Sequence, residues 1–230
     1  MTETWFAPIR AYCERGDASF WAEPLNAVSN GAFLLAAVAL LRRERRAAAA
    51  DPAALALAGL IAVVGLGSFL FHTVAVRWSL FADVVPIALF IYAYFLLAMR
   101  RFLGLGSAAA ILVTLSFAGF NIGLEPALDA IAGPSLGLRT NGSLSYLPAV
   151  LALVGVAAAL RLTKGQEASA RRSSWALIGL AALFALSLTL RTVDTALCPS
   201  LPMGTHFLWH LLNAGVLYGL VATASRHRAR

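Results

Sequence analysis

Seven apolar runs, at roughly 24–41, 53–72, 79–99, 107–124, 143–160, 174–190 and 205–224, divide this chain, and nearly all of its charge lies in the gaps between them. Each run is about long enough to cross a hydrocarbon core of ~30 Å at ~1.5 Å per residue. The fold class predicted is therefore all-α, a polytopic membrane protein built as a seven-transmembrane-helix bundle. A soluble protein with seven buried helices is the competing reading. Against it stands a composition of 60% hydrophobic and 13% charged residues with a mean hydropathy of +0.78, far from that of a soluble domain.

Orientation follows from the basic residues, which are retained on the cytoplasmic side. The gaps after spans one, three and five and the C-terminal tail hold 13 of the 18 lysines and arginines, from Arg42, Arg43, Arg45 and Arg46 through Arg100 and Arg101 to Arg226, Arg228 and Arg230. The other side carries Arg10, Arg15, Arg77, Arg139 and Arg191 with most of the acids. This distribution predicts the N-terminus outside and the C-terminus cytoplasmic. The formal net charge of +7 is then a topology signal and an attraction to anionic headgroups. Nucleic acid is excluded as a partner, because no basic surface interleaved with aromatics is present.

Residues 1–23 are too polar and acidic for a secretory signal, so span one is expected to serve as an uncleaved anchor and the mature chain to begin near Met1. A single membrane domain is predicted over 1–230: an outer segment 1–23, the bundle 24–224 and a basic cytoplasmic tail 225–230. Short Arg- and Ala-rich linkers, Arg42–Pro52 and Thr163–Arg172, are its longest hinges. No internal repeat is visible, which disfavours an inverted-repeat transporter.

Three of the four histidines share one membrane depth. His206 and His210, spaced i, i+4, lie on one helical face, where they form either a hydrogen-bonding pair or two metal ligands. His72 ends span two on the same side, which shifts the balance to a metal. Three histidines with an open fourth position make the zinc site that supports hydrolysis. His227, in the basic tail, is expected to be a solvated bystander. Asp83 lies about one turn into span three at the same level, where it is either a base for a metal-activated water or a carboxylate that orients a ligand histidine. Ser68, one turn deeper than His72, is either a helix-contact hydroxyl or a donor to an oxyanion.

Several short runs extend this pattern. Tyr12-Cys13-Glu14, then Phe20-Trp21-Ala22-Glu23 leading to Asn26-Ala27-Val28-Ser29-Asn30, resembles the N-terminal signature of alkaline ceramidases. Gly67-Ser68-Phe69-Leu70-Phe71-His72 is similar to that family's second-helix Ser-x3-His, Ala82-Asp83-Val84-Val85-Pro86 to its Asp-x-x-Pro, and His206-Phe207-Leu208-Trp209-His210 to its last-helix His-x-x-Trp-His. The resemblance covers nearly the whole chain in order and extends to the wider membrane hydrolase superfamily that includes the progestin and adiponectin receptors.

The resemblance implies zinc on His72, His206 and His210, Asp83 and Ser68 as catalytic groups, and ceramide as substrate. It also makes Glu14 and Glu23, with the backbone carbonyl of Tyr12, candidates for a calcium site, with Asp17 as the replacement for a missing side-chain oxygen. The family's aspartate before the aromatic is Ala11 here, and the following segment is shortened, so the countable oxygens fall short of the ~6–8 that calcium takes. Cys13 and Cys198, both on the outer side, read from position alone as two unrelated thiols or a bridge. Matching cysteines in the family imply a disulfide tying the N-terminal segment over the metal pocket.

The function expected is zinc-dependent intramembrane hydrolysis of ceramide or a related N-acyl lipid amide, with the lipid entering sideways from the outer leaflet. A lipid receptor with structural zinc is the alternative, and a zinc or proton transporter a third reading, disfavoured by the few polar residues in the inner half of the spans. The partners expected are the lipid substrate and the bilayer, with no obligate protein partner. With 17 arginines against one lysine and abundant alanine, a GC-rich bacterial source and an inner-membrane location, active site toward the periplasm, are expected.

Overall fold

A computed structural model describes residues 4–133 and 136–228. Its helices are α1 (Pro24–Ser29), α2 (Gly31–Arg45), α3 (Pro52–Val74), α4 (Arg77–Arg101), α5 (Ser107–Ala132), α6 (Leu136–Arg139), α7 (Leu147–Lys164), α8 (Ala168–Leu197) and α9 (His206–Arg228), with a 3₁₀ turn over Ser143–Tyr146 leading into α7. Among the described residues seven segments are long and apolar enough to cross a membrane, matching the seven apolar runs in order. Leucine, valine and isoleucine side chains on the bundle's outer surface are exposed, including Leu35, Leu66, Leu89 and Leu115. That is the arrangement lipid contact requires, since the bilayer rather than water is the solvent there.

Span one is broken where the sequence shows only an apolar run. Pro24 starts α1, its missing N–H costing nothing at a first helical position. Asn30 then separates α1 from α2, its side chain donating to the carbonyl of Asn26 at 2.8 Å. This side-chain bond competes with the helical ladder and turns the chain, which aims the polar face of α1 inward.

Close packing of α3 on α4 is what levels the chemistry. Pro86, inside α4, has no N–H to offer the carbonyl of Ala82 four residues back. The backbone of Gly67 in α3 lies against that carbonyl so closely that an added Cβ would stand within 1.9 Å of it. Only glycine fits, and the residues that follow Gly67 and Ala82, Ser68 and Asp83, are brought side by side.

The α9 helix runs through the middle of the bundle against α1, α2, α3, α4 and α8, whereas α5 is the most peripheral span. Residues 5–9 lie along the turn that joins α3 to α4, with Ile9 N–H donating to Ala75 O at 2.8 Å. Beyond them the N-terminal segment crosses the end of the bundle to Cys198. At the opposite end Glu44 is buried, accepting from Ser225 Oγ at 2.8 Å and the Asp51 amide at 3.0 Å, and Asp51 pairs with Arg101 at 2.6 Å.

Two expectations change. The spans run farther than the apolar runs at that opposite end, so the linker placed at Thr163–Arg172 contracts to the three residues between α7 and α8, 165–167. His227 is no solvated bystander: α9 continues to Arg228, and the His227 ring is half-buried, with Nδ1 3.0 Å from Ser173 Oγ and its plane edge-on to Phe102. Arginines flanking the last turn hid a helix whose buried face continues past them.

Candidate active site

His72 occupies the last turn of α3, and His206 and His210 the first turns of α9. All three are essentially inaccessible, and one nitrogen from each lies within 4.8 Å of the others. Among the described residues this is the group of histidine, cysteine or acidic side chains able to hold a metal ion.

The local fold presents these rings deliberately. Asp194, buried in α8, caps α9: its Oδ1 accepts the amides of Thr205 at 2.6 Å and His206 at 2.9 Å, satisfying two of the helix's otherwise unpaired first donors. Gly204, with φ of +63°, makes the turn into the cap, a conformation L side chains avoid. Asp194 Oδ2 accepts the Cys13 amide at 3.1 Å, and Cys13 is bonded to Cys198 with the Cα atoms 5.2 Å apart. The expected bridge is thus present, and it anchors residues 10–23 over the histidines.

Each of two rings has one nitrogen held by an oxygen, leaving the other free. Glu23 Oε2 lies 2.6 Å from Nδ1 of His72, and Nε2 of His72 is buried with no partner. Ser29 Oγ lies 2.7 Å from Nδ1 of His210, whose Nε2 has only Ser68 Oγ, at 3.5 Å. A hydrogen bond at the rear nitrogen fixes ring orientation and tautomer, the usual support of a metal-ligating imidazole. The third ring, His206, stacks on Tyr12 with centroids 3.5 Å apart, and its Nδ1 has no partner. Buried nitrogens left unpaired are costly, and the two here, together with His210, whose Nε2 has only a long contact to Ser68, are compatible with a bound metal ion.

Asp83 is buried, with Ser68 facing its carboxylate and Oδ1 unpartnered. It orients none of the three rings through a hydrogen bond; Glu23 and Ser29 do that.

The calcium candidates do not gather into a metal-holding group among the described residues. Tyr12 faces His206 and its hydroxyl is pushed above the ordinary range by burial. Glu14 caps α1 through the amides of Leu25 and Asn26 at 2.7 and 2.8 Å. Asp17 is exposed and accepts the Ser19 amide, which together with the Ser19 hydroxyl lowers its pKa. In Glu23 burial pushes the carboxyl up, but hydrogen bonds from His72, Asn26 and Arg15 outweigh it and hold the group below the usual range.

Arg191, near the end of α8, was visible in the sequence only as one of the outer-side basic residues. Its guanidinium stands over the rings of Tyr12, Tyr146 and Trp209 at 5.6, 5.5 and 5.1 Å. Such a cage holds a positive charge in an apolar setting beside the histidines. Ser29 and Arg15 were likewise unassigned, although Asn26, Ser29 and Asn30 fall at helical spacing on one face at the start of an apolar span.

No curated protein matches the sequence. A family model described as Ceramidase matches residues 11–229, which takes in every residue placed in this site. With nearly its full length matched, the chain belongs to the ceramidase family.

Proposed function

We propose that this protein is a zinc-dependent intramembrane amidohydrolase that cleaves ceramide or a related N-acyl lipid amide to a fatty acid and an amine. Its membership of the ceramidase family supports the substrate class. The observation that carries the reading is the buried Asp83 carboxylate, unpaired at Oδ1, beside three histidines whose nitrogens converge.

His72, His206 and His210 would hold the metal. When bound, zinc supplies a Lewis acid that polarises a carbonyl and lowers the pKa of a coordinated water toward ~7. Asp83 accepts the proton of the attacking water as its oxygen bonds to the amide carbon, then delivers that proton to the nitrogen as the C–N bond breaks. Ser68 Oγ–H donates to the carbonyl oxygen as it acquires charge. Glu23 and Ser29 keep the rings from rotating, and the disulfide-anchored segment covers them from water.

Two cavities suit a lipid. One, of about 750 Å³, opens between α4 and α5 and includes Phe81, Val85, Ile122, Glu125, Tyr146 and Arg191. This mixture of apolar wall and polar end fits a lipid arriving sideways, from the outer leaflet if the arginine distribution sets the topology. The second is an apolar slot among Phe33, Val64, Phe90, Tyr94 and Trp209, suited to a hydrocarbon chain. Ile91 and Tyr146 line both. The slot also separates the histidines from the polar cluster of Glu44, Asp51 and Arg101, which disfavours a transport path.

The deciding experiment incubates purified protein with a panel of ceramides and N-acyl amino lipids and measures released fatty acid and amine, with Asp83→Asn as control. Release of both in equal amounts by the wild type is expected. Binding of the same lipids without release would point instead to a receptor.

A further inference from the structure

The oxygens that the family resemblance offers to calcium do not fit that ion, because a cation of the chain's own, Arg15, already engages Glu23 and the main chain of Asp17. Arg15 is 4% exposed. Its Nε donates to Glu23 Oε1 at 2.5 Å, Nη1 to the Asp17 carbonyl at 3.3 Å and Nη2 to the His72 carbonyl at 2.9 Å. A carboxylate and backbone carbonyls are the oxygens calcium takes from a protein. Here a planar guanidinium takes them, in the fork geometry that makes arginine suited to buried pairing.

The two glutamates nearby are engaged as well. Glu23 gives Oε2 to His72 and Asn26, at 2.6 and 3.0 Å, so both its oxygens are engaged. Glu14 uses both oxygens on α1 amides. A divalent ion entering beside Glu23 would meet one fixed positive charge and a carboxylate with both oxygens already engaged, in a buried setting where like charges repel strongly, and Asp17, the one acid not so engaged, is exposed.

We propose that Arg15 replaces a divalent cation in this protein: a built-in, non-exchangeable charge that pins the 13–17 turn to the end of α3 and, through Glu23, sets the His72 ring. Arg15 is thus a positioning residue. It touches one oxygen of Glu23 and the main chain of His72, and the other oxygen of Glu23 holds the His72 ring. The link to His72 as a ligand rests on the zinc reading above, whereas the replacement of calcium does not.

The test uses the purified full-length protein in zinc-containing buffer. Titration with calcium chloride to ~1 mM, the weak end of known protein calcium sites, should give no binding by equilibrium dialysis and no change in Tm for the wild type. Arg15→Ala should lower Tm and weaken zinc retention by ~10–100-fold, the range for loss of a group that supports a ligand. Added guanidinium at low millimolar concentration, or calcium, should recover part of both losses in Arg15→Ala. A purely structural defect would not respond to a small cation. Arg15→Lys, a single point of charge, should fall between the two. Calcium bound stoichiometrically by the wild type with a rise in Tm would overturn the proposal, as would Arg15→Ala with unchanged Tm and zinc retention. If Arg15→Ala fails to fold, the wild-type calcium titration still decides. A wild type that holds no zinc would sink the metal reading, and the calcium titration and Tm comparison would then judge Arg15 alone.

Discussion

Ser29 Oγ sits 2.7 Å from Nδ1 of His210, joining the break in span one to the middle of the bundle across 181 positions of sequence. The turn at Asn30 is what brings this hydroxyl inward to the ring. Ser29→Ala should therefore retain the fold but bind zinc ~10-fold or more weakly, because the ring loses the bond that orients it. Competition against a chelator of known affinity measures this, and equal zinc affinity in both proteins would remove Ser29 from the site.

His210→Ala should lose most of its metal. Removing one of three protein ligands leaves a site unable to hold an ion against water. Purified wild type is expected to carry about one zinc per chain by elemental analysis. Full zinc content in the variant would sink the three-histidine assignment.

Asp83→Asn should keep its zinc and its Tm while amide hydrolysis falls by at least ~100-fold, the scale of a positioned acid-base group. The amide preserves shape and contact with Ser68 but cannot take a proton. Loss of metal together with fold would instead make Asp83 structural.

Gly67→Ala should damage activity out of proportion to its size. The new methyl would meet the Ala82 carbonyl at 1.9 Å, and backbone cannot step aside as a flexible side chain can. Forcing α3 from α4 is expected to cost ~1–3 kcal/mol, as overpacking does, and to part Ser68 from Asp83. Thermal denaturation in detergent and lipid-amide turnover are the two measurements. A variant with wild-type turnover would show that the Ser68–Asp83 pairing is dispensable.

Replacing Cys13 and Cys198 together by serine should loosen residues 5–23 while the helices persist. A chain already threaded through a bilayer has less freedom for a crosslink to remove than a coil in water, so the ~2–4 kcal/mol typical of a disulfide is an upper expectation here. Hydrogen exchange resolved by segment reads the effect. Uniform loosening of α3 and α9 would mean that the bridge holds the core rather than the cover.

Much of this molecule was readable before its structure. Hydrophobic run length alone delivers seven spans, because a bilayer leaves a chain few alternatives. His72, His206, His210, Asp83 and Ser68 stood out because polar groups in an apolar context demand a reason. What stayed hidden depended on contacts between distant segments. Glu23 reads in the sequence as a calcium candidate, and its contact with His72, 49 positions away, is not legible there; Arg15 reads as an ordinary outer-side charge, because its bonds to oxygens of three residues form only in the folded chain. The turn at Asn30 is a side-chain bond that hydropathy does not register, and the arginines around His227 disguised a buried face.

The bridge from Cys13 to Cys198 spans 185 residues, from before the first span to just ahead of the last. The segment that carries Glu23 and Arg15 is the first part of the site to be synthesised, and the helix that carries His206 and His210 is the last. The three-histidine set is therefore incomplete until the helix that carries His206 and His210 has joined the bundle, and the bridge can close over it only after that. On the amidohydrolase reading proposed above, hydrolytic competence is then a late event of biogenesis.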